Sequence, residues 1–304
     1  MLKHYQVQNR RFVEVQEEPH EVTVFINPDE AEKRFLLDKL CLDEHTYNSA
    51  FDPDELSRLE FEPEHIAIIC KRPLNYSGAE EFLFRVGSMG IYLFRDRLII
   101  LINEDAPLFD GLTQVRSASV NSLMLRMIFR SIVHFREHLK TIAQISDALQ
   151  EKINTSLENR HLYNMFTLQK SLVYYQNSIN SNGVLIDKLK NNASRLGFTT
   201  EEIETLDDIL IENNQCLKQA DIYSNILASL MDARASIVSN NLNVLMKTLN
   251  IITISIMVPT FVVSAFSMNV KIPLAGHPGA FVIILGLALL SVLGFMIFWK
   301  HRKW

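Results

Sequence analysis

Residues 249–266 read LNIITISIMVPTFVVSAF, and residues 280–299 read AFVIILGLALLSVLGFMIFW; neither run contains a charged residue. Because about 20 helical residues cross the ~30 Å hydrocarbon core of a bilayer, the second run predicts a transmembrane helix. The first run also carries Asn, Thr, Ser and Pro, yet it too must span the bilayer if both flanking segments lie on one side. The sequence therefore predicts two C-terminal spans, 246–267 and 280–299, joined by an external loop at 268–279.

The charged fraction of the whole chain is close to that of a soluble protein. The 304 residues include 21% charged side chains with a net charge of −5, and the mean hydropathy is only +0.06, which excludes a protein built mostly of spans. The mildly acidic balance gives no general attraction to nucleic acid. Three cysteines, Cys41, Cys70 and Cys216, are too dispersed for a disulfide framework or a metal cluster, and they suit a reducing compartment.

Basic residues at the ends of the spans indicate the orientation of the chain. Lys247 stands at the start of the first span, and residues 300–304 read KHRKW, so the positive-inside rule places these ends in the cytoplasm. The opening MLKHYQVQNR contains no apolar run, and we expect no signal peptide. We therefore expect a multi-pass protein of the inner or plasma membrane with both termini cytoplasmic.

The sequence predicts an α+β membrane protein whose cytosolic part has two sections. An N-terminal α/β domain is expected at 1–115, and a long, coiled-coil-like helical stalk at 116–245. Within the first domain, strands are expected at 21–26, 65–70, 81–86, 91–94 and 98–102. Helices are expected at 28–39 and 53–59, and the segment Gly87–Gly90 is interpreted as a turn.

The stalk is predicted to end in one long helix. The segment Thr199-Thr200-Glu201-Glu202 follows Gly197 and matches a capping box, which marks a helix start. Positions spaced alternately by three and four residues then form a coiled-coil seam: Ile203, Leu206, Leu210, Asn213, Leu217 and Ala220. No glycine or proline follows until Pro259, so the helix is predicted to continue into the first span as a rod of ~65 residues, ~100 Å long.

A polar stripe follows one face of this helix through the first span. Its members are spaced alternately by three and four residues: Asn243, Met246, Asn250, Thr253, Met257, Thr260, Ser264 and Ser267. In a bilayer such residues must face protein or water, because unpaired polar groups in hydrocarbon are costly. They could pack membrane helices together, or they could line a pore to which each subunit of a ring gives one helix. The pore is favoured because the stripe extends the stalk seam without a change of phase.

The oxygen atoms of the polar stripe suit a hydrated divalent cation. Mg²⁺ dehydrates reluctantly, and rings of amide and hydroxyl oxygens can hold its water shell without stripping it. Rings of Met246 and Met257 could close the pore by dewetting. Two spans per chain cannot enclose a pore, so an oligomer is expected.

The first span closes on Phe266-Ser267-Met268-Asn269. Two C-terminal spans, a short external loop and an aromatic-Gly-Met-Asn motif at this position characterise the CorA-type magnesium transport family, and the chain resembles a member with Ser267 in the glycine position. Residues 243–249, NVLMKTL, are similar to the family's Asn-x-x-Met-Lys-x-Leu at the start of the span. Residues 90–94 and 99–101 resemble its N-terminal sheet, so the likeness covers nearly the whole chain.

The resemblance implies a homopentamer with a cytosolic funnel and a pore formed by the first span of each subunit. It implies that Ser267, Met268 and Asn269 form the selectivity filter, with five Asn269 oxygens binding hydrated Mg²⁺ at the mouth. The expected activity is passive uptake of Mg²⁺ driven by the inside-negative membrane potential. The expected partners are other copies of the chain, the lipid bilayer and divalent cations.

The resemblance also implies a gate and its regulation. A polar ring at the inner mouth and a narrow gate would be formed by Asn243, Met246, Leu249 and Met257. Leu249 competes with Asn250 of the polar stripe, because a helix with 3.6 residues per turn cannot hold both centrally. Cytosolic Mg²⁺ would bridge carboxylates between subunits and hold the channel shut, and Asp208 and Asp232 align with acidic stalk positions of that kind.

Two departures from the family pattern bear on the transported ion. Ser267 adds a Cβ and a hydroxyl where glycine would make a sharp turn easy. The external loop contains Lys271 and no carboxylate, so its attraction for cations is expected to be weaker. Transport of zinc, or of cobalt or nickel, with possible proton coupling is therefore the alternative. The zinc-transporting branch, however, carries Gly-Val-Asn where Met268 stands here.

Two other classes of protein were weighed. The segment His134-Phe135-Arg136-Glu137-His138 matches the H-x-x-E-H spacing of a metallopeptidase, but it has no evident third ligand, and neither enzymatic activity nor an organic cofactor is expected. A membrane-anchored coiled-coil scaffold would not need a polar stripe in its first span. Its external part would also be only about a dozen residues long by the predicted topology.

Overall fold

The structure, a computed structural model, describes residues 1–8, 11–15, 21–76, 82–105, 119–155, 159–268 and 276–301. The chain divides into two compact units, Met1–Met231 and Asp232–Trp304. The first unit holds a β-sheet and most of the helices, whereas the second holds the C-terminal part of one long helix and a further helix. Both of these last helices are long and apolar enough to cross a membrane. The predicted fold class is confirmed.

A mixed β-sheet forms the N-terminal part of the first unit. Its strands are β1 (Leu2–Gln8), β2 (Arg11–Val15), β3 (Val22–Ile26), β4 (Arg58–Phe61), β5 (Ile66–Pro73), β6 (Val86–Leu93) and β7 (Leu98–Ile102). They lie in the order β2-β1-β3-β7-β6-β5-β4. Within the described residues, β3 and β7 pair in parallel, with Val22 opposite Leu98, and the other neighbours are antiparallel.

Short helices lie between β3 and β4 in the chain, and the other helices follow β7. They are α1 (Glu30–Arg34), which continues as a π-helix over Phe35–Lys39, then α2 (Glu44–Ser49), α3 (Val120–Thr155), α4 (Asn159–Asn191), α5 (Ala193–Leu196), α6 (Thr200–Phe266) and α7 (Ala280–His301). The predicted capping box is confirmed: the Thr199 N–H donates to Glu202 Oε2 at 2.9 Å, and the Glu202 N–H donates to Thr199 Oγ1 at 3.3 Å. Gly197 ends α5 in the left-handed region, at φ 68°.

The two faces of the sheet are buried in different cores. On one face, Ile68, Ile91 and Ile100 pack with α3 residues such as Phe135 and α4 residues such as Tyr175. This core continues along α6 through the predicted seam, where Leu206 and Ala220 are fully buried. On the other face, a smaller cluster gathers around Leu36 of the π-helix. Alternation of side chains along the strands accounts for both cores.

The helix expected at 53–59 is wrong, because side chains from other elements satisfy the backbone of this segment. Lys71 Nζ donates to the Pro53 carbonyl at 2.8 Å. The Ser57 N–H donates to Ser181 Oγ of α4 at 2.7 Å. The segment therefore has partners for its backbone without forming helical hydrogen bonds.

The turn expected at Gly87–Gly90 is also wrong, since both glycines lie inside β6. A Cβ on Gly90 would lie 2.7 Å from the Cβ of Ala50, and one on Gly87 would lie 2.7 Å from Cδ2 of Leu74. These glycines permit close packing over the strand and do not mark a reversal of the chain. The strand expected at 81–86 begins only at Val86, and β1 and β2 were not expected.

Candidate functional site

All members of the polar stripe are exposed in the single chain. Met246 exposes 56% and Met257 exposes 62% of its area, and the amide and hydroxyl members are exposed as well. The stripe lies on the part of α6 that belongs to the second unit. It therefore forms a continuous polar face that nothing in its own unit covers.

The opposite face of α6 is half-buried. Its residues are spaced by three or four positions along the sequence: Lys247, Ile251, Ser255, Val258, Val262 and Ala265. A matching series of buried or half-buried residues runs along α7: Ile284, Ala288, Ser291, Phe295 and Trp299. Lys247 Nζ lies 5.6 Å from the ring centroid of Trp299, so the two series point toward each other. The polar stripe is consequently not the main surface through which α6 meets α7.

A groove remains between the two helices near Pro259. Its wall on α7 includes Leu285 and Ala288, and Thr260 and Ser264 of the polar stripe border it on α6. Because proline has no N–H, the Ser255 carbonyl lacks its usual helical donor at this level.

Three threonine hydroxyls in the second-unit part of α6 bond to their own helix. Thr253 Oγ1 donates to the Leu249 carbonyl at 2.9 Å, and Thr260 Oγ1 donates to the Ile256 carbonyl at 2.6 Å. Outside the stripe, Thr248 Oγ1 does the same with the Val244 carbonyl at 2.9 Å. These bonds fix the direction in which each hydroxyl oxygen presents its lone pairs.

The motif that closes the first span begins where α6 ends. After Phe266 the Ser267 N–H donates to the Ser264 carbonyl at 3.1 Å, and Ser267 Oγ donates to the same oxygen at 2.9 Å. Among the described residues, non-glycine positions with positive φ are Asn27, Cys41 and Phe82, so serine in the glycine position of the motif is unstrained. Met268 is 59% exposed, and Asn269 lies outside the described residues.

Leu249 and Asn250 are both exposed, Leu249 by 56%. Successive residues differ by about 100° around a helix, so the two side chains flank the centre of the stripe on opposite sides. The geometry of one chain does not choose between them.

The chain is similar to known proteins of one family. The sequence profile described as "CorA-like Mg2+ transporter protein" matches residues 23–302. The chain belongs to the CorA-like Mg²⁺ transporter family. It is therefore a divalent cation transporter of the CorA family, and its relatives are ion transporters, not enzymes.

The relatives share the architecture over most of their length. The cobalt/magnesium transport protein CorA of Methanocaldococcus jannaschii is 23% identical over 292 residues, which cover 91% of this chain and 89% of that protein. The complete structure of the CorA magnesium transporter from the same organism matches with a TM-score of 0.86 at 20% identity, covering 100% of this chain and 98% of that one. The ZntB cytoplasmic domain from Vibrio parahaemolyticus matches with a TM-score of 0.60 at 14% identity, over 78% of this chain and 98% of that one. At these identities the structural matches show a common fold.

The carboxylates expected to regulate a CorA-like transporter lie in different units of this chain. Asp208 is exposed and lines a cavity of about 610 Å³ together with Arg126, Glu201 and Thr205. Asp232 is exposed and begins the second unit. Among the described residues, no three His, Cys, Asp or Glu side chains gather as a metal site.

The histidine pair on α3 is integrated into the core of the first unit. The rings of His134 and His138 lie 4.4 Å apart between centroids, and His138 Nδ1 is 2.7 Å from the Tyr175 hydroxyl. Burial lowers the pKa of both imidazoles to about 4. In the part of the chain that the structure describes, no third His, Cys, Asp or Glu completes a metal site with them.

Sequence reasoning did not predict the contact of Lys247 with Trp299 or the hydroxyl–carbonyl bonds of α6. The first had a signal in the sequence, since a basic residue begins one span and an aromatic residue ends the other at the same membrane surface. The second follows from the tendency of Ser and Thr in helices to bond the carbonyl one turn back.

Proposed function

We propose that this CorA-family transporter is a homopentameric channel that takes up hydrated Mg²⁺ down the inside-negative membrane potential. The observation that carries the proposal is the exposure of every member of the polar stripe, which is not the main surface through which α6 meets α7. A polar face left uncovered in a bilayer needs other copies or water as its partner. Five copies of α6 around one axis meet that need, and the number five comes from the resemblance to the family.

The pore is proposed to be lined from the cytoplasm outward by the polar stripe. Asn243 forms the inner ring, and Met246, Leu249 and Met257 form the gate, with Asn250 beside it. The thioether groups of Met246 and Met257 and the alkyl group of Leu249 are exposed in the single chain. In a narrow ring they can expel water and so stop ion flow.

The selectivity filter is proposed to be Ser267, Met268 and Asn269 at the outer mouth. Amide and hydroxyl oxygens can bind the water shell of Mg²⁺, an ion that keeps its water reluctantly. Two charges crossing 100 mV gain ~4.6 kcal/mol, which is ample for accumulation without ATP.

Regulation is proposed to come from cytosolic Mg²⁺. Asp208 and Asp232 are exposed, so each can share a Mg²⁺ ion with a carboxylate of a neighbouring copy. Mg²⁺ bound in this way between copies would hold the channel closed. Both termini are placed in the cytoplasm, in keeping with the basic residues Lys247 and Lys300 at one end of the two spans.

The test is ion flux into proteoliposomes that contain the full-length protein. Uptake of Mg²⁺, Co²⁺ and Zn²⁺ is compared under an inside-negative potential, with and without a proton gradient. Asn269→Ala should abolish selective Mg²⁺ uptake, whereas Asn214→Ala, which changes an exposed asparagine of the cytosolic part of α6, should not. Unchanged Mg²⁺ uptake by Asn269→Ala would refute the filter assignment.

Transport of another divalent cation is the second candidate. The name of the relative from Methanocaldococcus jannaschii includes cobalt as well as magnesium, and the external loop of this chain lacks a carboxylate. Proton-dependent Zn²⁺ uptake without Mg²⁺ flux would favour a zinc transporter. An absence of all flux from correctly inserted protein would favour a membrane-anchored scaffold.

A further inference from the structure

A cavity of about 370 Å³ lies in the first unit between the sheet and the helical segment formed by α1 and the π-helix. Its floor belongs to β1, β3 and β7. His4, Thr23 and Ile99 lie side by side on these strands, and Leu2 lies opposite Phe25 in the next row. His4 Nδ1 is 3.4 Å from Thr23 Oγ1, so the floor combines apolar groups with one polar pair. This space is called the sheet cavity below.

The sheet cavity is buried at its floor and open at its mouth. Phe25 and Ile99 expose only 3% and 2% of their area, whereas Phe35 exposes 43% and Ala31 is also exposed. Small-molecule sites typically occupy ~300–1,000 Å³, with a mainly apolar lining and a few polar groups at fixed positions. The sheet cavity has the size and the lining of such a site.

The π-helix places an aromatic side chain at the mouth of the sheet cavity. It begins at Phe35, and the Leu40 N–H donates to the Phe35 carbonyl at 3.2 Å. Leu36 is fully buried in the smaller core, whereas the exposed ring of Phe35 lies 6.5 Å from that of Phe25 between centroids. Turns of π-helix are rare and often occur at functional sites. Phe35 is therefore available to pack against a ligand in the cavity.

The charged groups that line the sheet cavity differ in how they are already paired. Glu32 Oε2 accepts from the Asp29 N–H at 3.0 Å and lies 3.6 Å from the Met1 ammonium group. Arg97 is exposed, and its guanidinium carbon lies 5.2 Å from the ring centroid of Phe94. Among the described residues, Arg97 forms no ion pair. The charge at the cavity that lacks a counter-ion is thus positive, which favours an anionic ligand.

We propose that the sheet cavity binds a small aromatic carboxylate. The ring of this ligand packs on the apolar floor and against Phe35, and its carboxylate lies at Arg97. Burial of the ring removes apolar surface from water, and a guanidinium can donate two parallel hydrogen bonds to a carboxylate. The site belongs to the first unit and is independent of the pore proposed for α6.

Two macromolecular occupants were considered as alternatives. An extended peptide would bind by adding to a free strand edge, but β1, β3 and β7 each have a paired strand on both sides. A side chain of a second copy could fill the cavity instead, and it would then exclude a small molecule from the full-length protein. The experiment below separates this occupant from the proposed one.

The experiment titrates the full-length protein in detergent with 6-fluoro-2-naphthoate and follows the line width of its fluorine NMR signal. The uncharged 6-fluoro-2-naphthamide is the second probe, because it keeps the ring and lacks the charge. Arg97→Gln removes the cation at the cavity. Arg95→Gln removes a neighbouring exposed arginine that does not line it and is the matched control. Ala31→Trp blocks the mouth from an exposed position of α1, and Ala31→Ser leaves it open.

The unaltered protein should bind the naphthoate saturably. Arg97→Gln should weaken naphthoate binding about tenfold, the usual effect of losing one hydrogen bond to a charged group, and should change naphthamide binding by less than about twofold. Ala31→Trp should abolish saturable binding of both probes. Arg95→Gln and Ala31→Ser should stay within about twofold of the unaltered protein for both probes.

Three results would overturn the proposal. Absence of saturable binding to the unaltered protein would show that the cavity is not open to a small molecule, as expected if a second copy fills it. Unchanged naphthoate binding in Ala31→Trp would place the probe elsewhere on the protein. An equal loss in Arg97→Gln and Arg95→Gln, or no loss in either, would remove Arg97 as the group that holds the carboxylate. Each result leaves the proposed transport function untouched.

Discussion

The ammonium group of Lys247, near the start of the membrane part of α6, lies 5.6 Å from the ring centroid of Trp299, near the end of α7. The two residues are 52 positions apart in the sequence, and their contact joins the start of the membrane part of α6 to the end of α7. A cation over an indole ring is attracted by the negative face of the ring, and both side chains suit the membrane–water interface.

Replacing Trp299 by Leu should loosen this contact between α6 and α7. The loss should be about 0.5–1 kcal/mol, the usual size of an exposed cation–π contact. A double-mutant cycle with Lys247→Met, read by thermal unfolding in detergent, isolates the coupling between the two side chains. Phe298→Leu removes a neighbouring exposed aromatic residue and should show no coupling to Lys247. Additive effects of Trp299→Leu and Lys247→Met would contradict the prediction.

Replacing Met257 by Asn should weaken closure of the proposed gate. A polar ring retains water that a thioether ring expels, so Mg²⁺ flux at high internal Mg²⁺ should rise about tenfold, which corresponds to about 1.4 kcal/mol. Met257→Leu keeps the ring apolar and should close normally. The measurement is flux into vesicles preloaded with Mg²⁺. Equal closure of the channel in Met257→Asn and Met257→Leu would show that Met257 does not form the gate.

Replacing Asn182 by Ala should destabilise the first unit, Met1–Met231. Asn182 is fully buried, and its side chain serves β5 as a neighbouring strand would: Oδ1 accepts from the Lys71 N–H at 2.8 Å, and Nδ2 donates to the Lys71 carbonyl at 2.9 Å. Leaving two buried backbone groups unpaired should cost about 2–5 kcal/mol. Asn180→Ala, at an exposed position of α4, should change the thermal midpoint little. Similar midpoints for the two variants would contradict this role.

Replacing Gly90 by Ala should lower stability by about 1–3 kcal/mol, because the added methyl overpacks a tight contact. The new Cβ would meet the Cβ of Ala50 at 2.7 Å. Gly286→Ala adds the same methyl where no atom lies within 4 Å and should be close to neutral. Thermal unfolding followed by circular dichroism gives the change in stability of each variant. An equal change in the two variants would count against the packing explanation.

Acidification should destabilise the first unit through His134 and His138. Their pKa is lowered to about 4 by burial, below the ordinary value of about 6.5. The unfolded chain therefore binds more protons between these pH values, so stability is complete above pH ~6.5 and falls toward pH ~4. The double variant His134→Gln/His138→Gln should show a smaller loss of thermal midpoint between pH 7 and pH 5. His277→Gln, at an exposed position before α7, should keep the full loss of thermal midpoint.

The features of the fold that depend on the spacing of residues along the sequence could be predicted from the sequence. The capping box at Thr199 and Glu202, the α6 seam and the two apolar helices all depend on local spacing, and the structure confirms them. The helix expected at 53–59 is wrong because side chains distant in sequence determine the conformation of this segment. Ser181 and Lys71 hold the segment before β4 out of a helix, and no local pattern records those partners.

The candidate site was predictable in part for the same reason. Helical spacing identifies the members of the polar stripe, but it does not say which face of α6 meets α7. The half-buried series that includes Ser255 and Val262 answers that question through contacts made more than 20 residues away in sequence. Likewise, the direction of the Thr253 and Thr260 protons depends on hydrogen bonds that residue identity alone does not specify.

The uncovered polar stripe also has a consequence for biogenesis. A single copy in the bilayer would expose the amide of Asn250 to lipid, at a cost of several kcal/mol for the unsatisfied group. We therefore expect a lone subunit to be less stable in the bilayer than an assembled one. The side chains proposed to pass the ion would thereby also favour assembly of the newly synthesised chain.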